Sequence, residues 1–377
     1  MAPGTSDGEG GSIMEEDKMG TIERHVLANR RTVIKGLGAG AFALAAPAIL
    51  RSAQAQSKEV VYATWGGSWE DAMRKVWFDP FAQQTGIKVK TIQGPDYGKI
   101  RAMVRAGKTE WDVVEVNPDF QWVGPREGLL EKLDFNIIKT EDLIKGEELI
   151  TEYSVPGGFW SRVLVYNTKK FPTGSHPKSF VEFWDVKKFP GKRVLYAKAN
   201  GGALEAALLA DGVHRDKLYP LDVDRALKSL DKIKDHVLWY ETNAQAVQYM
   251  QDELGVLALM SDGRAKFAIE KGAPIAIEFQ DSQLTWTSLI VPKNPPNKEN
   301  AMRLINHMSS VEGQRLIGNE FTYGLVTPKA YALLPPGRAD ALTNGPKQQG
   351  KTILMNERWW GDNQPSVQDK MNAWRLL

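Results

Sequence analysis

The sequence predicts an α/β protein with two lobes, each built on its own mainly parallel sheet flanked by helices, with a ligand cleft between the lobes. Short β-branched runs alternate with helical patterns along the chain, an order typical of parallel sheets covered by helices on both faces. After a predicted leader over 1–55, about 322 residues remain, which is long for one hydrophobic core and sufficient for two domains. Two alternating blocks follow each other in this length.

The leader over 1–55 is predicted to be an export signal that is removed. Arg30-Arg31 precedes the apolar run of 36–50, and Ala53-Gln54-Ala55 is a small-x-small cleavage site. The apolar run has about 15 residues, whereas a membrane span needs roughly 20. We therefore expect export to the periplasm by the twin-arginine route and cleavage near Ala55. A true start codon further downstream would explain the polar stretch before the arginines.

The composition excludes several classes of function. With 48 basic and 46 acidic residues the net charge is +2, which favours neither nucleic acid nor an anionic membrane surface as a partner. The absence of cysteine excludes disulfides, thiolate nucleophiles and Cys-ligated metals. The five histidines lack the spacing of metal ligands. We expect no cofactor, no metal and no catalytic residue.

The first block reads strand, helix, strand, helix, strand. Ser68 is predicted to cap the first helix, which Gly86 ends. A second helix is predicted over about 97–106. The three strands are predicted over 58–63, 87–92 and 111–116.

The second block continues the alternation. Its strands are predicted over 163–166, 193–196, 256–259, 275–279 and 289–291. Its helices are predicted over 202–210, 223–234, 244–254, 263–271 and 300–309. The chain is expected to cross between the lobes near 155–162 and 280–288. Lobe 1 is then predicted to comprise 56–158 plus about 286–330, and lobe 2 to comprise 159–285 plus about 331–377.

Four turns at the carboxyl ends of predicted strands are rich in small and polar residues. Ligands of such sheets bind at these ends, where backbone N–H groups and helix N-termini are free. Ordinary turn chemistry uses the same residue types. Four such turns at one structural position favour a binding cleft. The turns are 65–68, 117–119, 198–202 and 261–264.

Several segments, in their order and spacing, resemble the periplasmic substrate-binding proteins of ABC importers, in the group that includes spermidine/putrescine-binding proteins. They include Val60-Val-Tyr-Ala-Thr-Trp-Gly-Gly-Ser-Trp69, Trp111-Asp-Val-Val-Glu-Val116, Tyr153-Ser-Val-Pro156 and Tyr323-Gly-Leu-Val-Thr-Pro328. The resemblance covers nearly the whole chain after the leader. It implies the type II periplasmic-binding-protein fold, in which two lobes close over one small-molecule ligand. It also implies docking on an ABC transporter permease in the inner membrane. We expect a monomer that binds no nucleic acid.

The resemblance leaves the ligand open between a polyamine, a small organic anion or amino acid, and a thiamine-like molecule. A polyamine needs carboxylates and aromatic faces, but the turns 197–202 and 285–288 carry no acid. Three acidic residues remain as possible contacts, namely Asp119, Glu241 and Asp262. Arg162, Lys198 and Arg264 could instead meet an anion. The predicted ligand-binding residues are Trp65, Ser68, Asn117, Asp119, Trp160, Asn200, Asn243, Asp262, Trp286 and Tyr323.

Two other functions compete with that of a transport receptor. One is an exported α/β enzyme that reuses the two-lobe fold, since twin-arginine export often carries cofactor enzymes. The missing cysteine, the scattered histidines and the absence of a dinucleotide-binding fingerprint argue against it. Residues 345–352 fit the P-loop pattern, yet the required strand before and helix after them are not predicted. The other is a chemosensory or scaffold receptor with the same fold.

Overall fold

The computed structural model describes residues 58–377, so the predicted leader and its cleavage site lie outside the described residues. No helix of this range combines the length and the apolar character that crossing a membrane requires. The strands are β1 (Glu59–Thr64), β2 (Lys88–Gln93), β3 (Val113–Val116), β4 (Ser154–Asn167), β5 (Arg193–Tyr196), β6 (Val237–Tyr240), β7 (Leu257–Ser261), β8 (Ile275–Ile290) and β9 (Thr352–Leu354).

Helices cover both faces of these strands. They are α1 (Ser68–Met73), α2 (Asp79–Thr85), α3 (Tyr97–Arg105), α4 (Phe120–Arg126), α5 (Phe180–Trp184), α6 (Ala203–Ala210), α7 (Val223–Asp231), α8 (Asn243–Gln251), α9 (Asp262–Glu270), α10 (Lys298–Ser309), α11 (Val311–Glu320), α12 (Pro328–Tyr331), α13 (Arg338–Ala341) and α14 (Glu357–Leu376). A π-helical turn over Arg74–Phe78 joins α1 to α2.

The first helical segment confirms one predicted boundary and corrects another. Gly86 ends α2 in the left-handed region, with φ 72°. Ser68 is not the N-cap: it is the first residue of α1, and its hydroxyl has no hydrogen-bond partner. Gly67 precedes it with φ 65° and ψ −153°, a conformation that only glycine adopts readily. The backbone of a glycine therefore sets the start of this helix.

The strands of residues 58–377 form one sheet in the order β2-β1-β3-β8-β4-β7-β5-β6, with β9 beside β8. β1 pairs in parallel with β2 and β3, and β5 pairs in parallel with β6 and β7. β4 and β8 run antiparallel to each other and join the two parallel groups. The two lobes were predicted to have separate sheets, and these two long strands make the sheets continuous.

β4 is much longer than its predicted core of 163–166. Pro156, Gly157 and Gly158 break the strand pattern in the sequence. In the structure the register with β8 shifts between Pro156 and Gly158 and again between Arg162 and Leu164. These irregularities let one strand continue through Pro156, Gly157 and Gly158, which disfavour regular strand structure. Both segments predicted to cross between lobes lie in β4 and β8.

Two groups of hydrophobic clusters divide the molecule into halves. Clusters of the first half draw on residues 60–159 and 286–342, with Trp77 and Phe120 among their fully buried side chains. Clusters of the second half draw on 163–275 and 353–374. The predicted lobe bounds stay a prediction. Leu342 packs in a cluster of the first half, so this half extends beyond the predicted end of lobe 1 at about residue 330.

Candidate functional site

A cavity of about 150 Å³, here called the central cavity, lies where the two halves meet. In another protein, a cavity of this size holds a benzene molecule. Its walls come from the carboxyl ends of several strands. Trp65 and Asn117 follow β1 and β3, while Tyr196, Tyr240 and Ser261 end β5, β6 and β7. The sheet thus places the cavity where parallel α/β sheets bind ligands.

Three cations, Arg162, Lys198 and Arg264, line the central cavity, and no Asp or Glu of residues 58–377 lines it. Arg162 is only 7% exposed, and its Nη1 atom has no hydrogen-bond partner. Its guanidinium lies 4.8 Å from the ring centre of Trp160. A buried unpaired cationic donor is costly. The arrangement therefore suits an anionic group that arrives with a ligand.

Aromatic rings form the rest of the wall. Tyr196 and Tyr240 are register partners on β5 and β6, and their rings stack at 4.9 Å. Trp69 packs against Tyr323 at 5.1 Å between ring centres. Burial raises the pKa of Tyr323 to about 12, although the positive charge of Arg264 opposes this. Tyr323 is therefore a neutral hydroxyl at neutral pH.

Glu115 lies behind this wall and holds two tryptophans in place. Its Oε1 accepts from the Trp69 indole at 2.7 Å, and its Oε2 accepts from the Trp65 backbone N–H at 3.0 Å. Thr64 donates to the same Oε2 at 2.7 Å. Burial raises the pKa of Glu115, and these donors counteract that rise. The carboxyl group is fully engaged and does not line the cavity.

A second cavity of about 750 Å³, here called the outer cavity, adjoins the first and shares Trp65, Asn117 and Lys198 with it. Asn200 Nδ2 donates to Asp119 Oδ2 at 3.0 Å, while Asp119 Oδ1 has no partner. Burial raises the pKa of Asp119, and its hydrogen bonds and the nearby cations oppose the rise. This hydrogen bond links the start of α4 in the first half to the loop before α6 in the second.

Seven of the ten predicted site residues line one cavity or the other. The central cavity contains Trp65, Asn117, Trp160, Asn243 and Tyr323. The outer cavity contains Asp119 and Asn200 and also shares two of the former residues.

Ser68, Asp262 and Trp286 line neither cavity. Trp286 is fully buried and donates to Ser288 Oγ at 3.0 Å. Asp262 is also fully buried, accepts from the Ser161 backbone N–H at 3.1 Å and pairs with Lys266 at 2.9 Å. Asp262 therefore fixes the backbone of β4 at Ser161, next to Trp160 and Arg162 of the central cavity.

The sequence analysis did not predict the tyrosine pair, and it gave the three cations only as possible contacts of an anion. Tyr196 and Tyr240 are each the last residue of a strand, and that position was the available signal. For Tyr240 the signal could not be used because β6 was not predicted, whereas Tyr196 ends a strand that was predicted. Arg162 lies inside β4, where a charged residue ordinarily indicates an exposed face.

Residues 77–346 match the model of a family described as bacterial extracellular solute-binding protein. The gamma-aminobutyric acid-binding protein of Pseudomonas aeruginosa is 32% identical over 334 residues, which cover 87% of this chain and 94% of that protein. The spermidine/putrescine-binding periplasmic protein of Salmonella typhimurium is 25% identical, with 86% and 92% covered.

A solved structure shows the same fold. An ABC transporter substrate-binding protein from Bradyrhizobium japonicum superposes with a TM-score of 0.79 at 35% identity and covers 84% of this chain and 99% of its own. The matched family and these relatives are binding proteins rather than enzymes. With a family model matched over more than half of its length, this chain belongs to the bacterial extracellular solute-binding proteins.

Proposed function

We propose that this chain is the periplasmic receptor of an ABC importer and that its ligand is a small molecule of the amino-acid type, held by its carboxylate in the central cavity. The observation that carries the proposal is the unpaired, buried Nη1 of Arg162, flanked by Lys198 and Arg264 in a cavity wall without acids. An arginine fork and a carboxylate match in charge and geometry.

The balance of charge separates the three ligand classes. A polyamine or a thiamine-like cation would lose its hydration in a wall that offers three positive charges and no carboxylate. An amino acid places its carboxylate at the arginine and turns its ammonium toward aromatic faces and Asp119 in the outer cavity. The relative named for binding gamma-aminobutyric acid (GABA) is 32% identical to this chain, and the relative named for binding spermidine and putrescine is 25% identical. We therefore favour an amino acid such as GABA.

Transport follows from closure of the two halves over the ligand. Trp65 and Tyr323 come from the first half, and Lys198 and Arg264 come from the second, so one ligand would contact both. A ligand that makes contacts only in the closed form shifts the population toward that form. The closed form then docks on the permease in the inner membrane.

We propose export by the twin-arginine route with cleavage near Ala55, and a monomeric receptor. The two halves then act as lobes, with bounds near 56–158 plus 286–330 and 159–285 plus 331–377. Support comes from the arginine pair and the cleavage site in the sequence.

A ligand screen on residues 56–377, freed of bound ligand by unfolding and refolding, tests the function. We expect GABA and related amino acids to raise the melting temperature, since ligand at 100 times its Kd adds roughly 2.7 kcal/mol to the free energy of unfolding. Calorimetry on Arg162→Gln should show a loss of about 10- to 100-fold in affinity, as expected for one charged hydrogen bond. Arg315→Gln, on an exposed ion pair, is the control. Stabilisation by putrescine or spermidine alone would contradict the proposed ligand class.

A further inference from the structure

Three buried carboxyl groups lie around Arg162 and are here called the carboxyl cluster: Asp119 at the start of α4, Glu205 on α6 and Glu357 at the start of α14. Each is less than 9% exposed. Burial raises the pKa of all three, to about 7 for Glu357, and the positive charge of Arg162 lowers each of them. Within residues 58–377, none of the three forms a salt bridge with Arg162. The arginine is surrounded by acids that do not neutralise it by contact.

The hydrogen bonds of the cluster leave several atoms unpaired. Tyr219 and the Trp360 indole donate to Glu205 Oε1 at 2.7 and 2.9 Å, but Glu205 Oε2 has no partner. Gln283, the register partner of Arg162 on β8, has an unpaired Oε1. With Arg162 Nη1 and Asp119 Oδ1, four buried polar atoms of this region lack a partner. These unpaired atoms can therefore take up a ligand group or a proton.

Glu357 is the member of the cluster that is placed to titrate near neutral pH. Thr285, the register partner of Trp160 on β8, donates its hydroxyl to Glu357 Oε1, which places this carboxyl group on the face of the sheet that carries Trp160 and Arg162. Asp119 and Glu205 raise the pKa of Glu357, while Arg162 lowers it. Tyr97 on α3 and Tyr219 before α7 also face it, and both stay neutral because burial raises their pKa.

We propose that Glu357 is a positioning residue for the ligand and takes up a proton from solvent when an anionic group binds at Arg162. The inference rests on the proposed function. A ligand carboxylate brings one more negative charge beside three buried acids, so the neutral form of Glu357 becomes favoured. Protonation removes the negative charge of Glu357, which otherwise competes with the ligand carboxylate for the positive charge of Arg162. Ligand affinity therefore falls as the pH rises through the range in which Glu357 ionises.

Calorimetric titration with GABA in two buffers of different ionisation enthalpy tests this coupling. GABA suits the experiment because its carboxyl and ammonium groups titrate far from neutrality, near pH ~4 and ~10. At about pH 7.5 the binding enthalpy of the wild type should change with the buffer, which reports uptake of a fraction of one proton. The affinity should fall several-fold between about pH 6 and 8.5, and by no more than tenfold per pH unit.

Glu357→Gln keeps the shape and can still accept from Thr285, so it should bind with no buffer dependence and a flat pH profile. Glu131→Gln is the control, since Glu131 belongs to the first half and pairs with Lys293 and Lys298. Its GABA binding should show the same buffer dependence and pH profile as that of the wild type. GABA binding without proton uptake overturns this inference and leaves the receptor function intact. A uniform loss of affinity in Glu357→Gln with unchanged buffer dependence also overturns it. No binding of GABA or any other carboxylate at any pH overturns both.

Discussion

Trp65 is the most exposed aromatic side chain of the central cavity, with 40% of its surface accessible. It follows β1 directly, and its backbone N–H is fixed by the buried carboxyl group of Glu115. Gly66 and Gly67 then turn the chain with φ 74° and 65°. The indole is thus held on a rigid backbone while its ring faces both cavities, a geometry suited to packing on a ligand.

Replacing Trp65 with alanine should lower ligand affinity by roughly 1–3 kcal/mol, because the indole loses its apolar and cation–π contacts with the ligand. Calorimetry with GABA measures the change. Trp65→Phe keeps an aromatic face and should lose less. Circular dichroism should show the same fold for both variants. An unchanged affinity in folded Trp65→Ala would rule out its place in the binding site.

At the scale of elements, the contact between α4 and α14 forms part of the wall of the outer cavity. Pro365 inside α14 cannot donate to the carbonyl of Gly361 four residues earlier. Arg126 on α4 donates its Nη2 to that carbonyl at 2.8 Å instead. Gly361 also allows close approach, since a Cβ there would lie 2.9 Å from the Asp119 carbonyl oxygen. The backbone of α14 at Gly361 therefore comes close to the start of α4, and the Arg126 side chain bridges the two helices.

Gly361→Ala should lower the free energy of unfolding by about 1–3 kcal/mol, because the added methyl group forces α14 away from α4. It should also weaken ligand binding, since the backbone of Asp119 lies at this contact. Urea unfolding measures the first effect. Ser366→Ala, on the exposed face of the same helix, should stay within about 0.5 kcal/mol of the wild type. Equal stabilities of the two variants would contradict the close contact.

The helix α14 is an element that local sequence patterns did not predict. Gly361 and Pro365 are signals for a loop, and α14 was not predicted, although tertiary contacts bury its Trp360 and Trp374. The regular alternation of β1, α3 and β3 was predicted because local patterns determine it. The same patterns led to the prediction of Trp65 and Asn117, residues that follow strand ends and line the central cavity. Arg162 and Asp119 were named singly, but their grouping with Glu205 and Glu357 could not be predicted, because β4, α4, α6 and α14 bring these residues together from distant parts of the chain.

At the scale of the whole molecule, β4 and β8 join the halves, and the carboxyl cluster lies beside this junction. The pKa values of the cluster are raised by the fold, whereas that of Glu131 is lowered. Lys298 and Lys293 hold the pKa of Glu131 at about 2, against the effect of its partial burial. Glu131 therefore stabilises the fold above its unfolded pKa of 4.5, and this contribution is lost as the pH falls toward 2. The cluster instead binds protons more strongly in the folded state, so it favours folding at lower pH.

The free energy of unfolding should therefore respond to Glu357 even without ligand. Its pKa is about 7 when folded, against 4.5 as the reference, so the folded chain binds more protons between these values. Stability then falls as the pH rises through this window. Between about pH 5.5 and 8 the wild type should lose about 2 kcal/mol relative to Glu357→Gln. Urea unfolding of both proteins across this range measures the difference, in which Glu131 and all other shared groups cancel. Parallel pH profiles would mean that Glu357 is already ionised at low pH, and the charge balance around Arg162 would then have to come from Asp119 and Glu205.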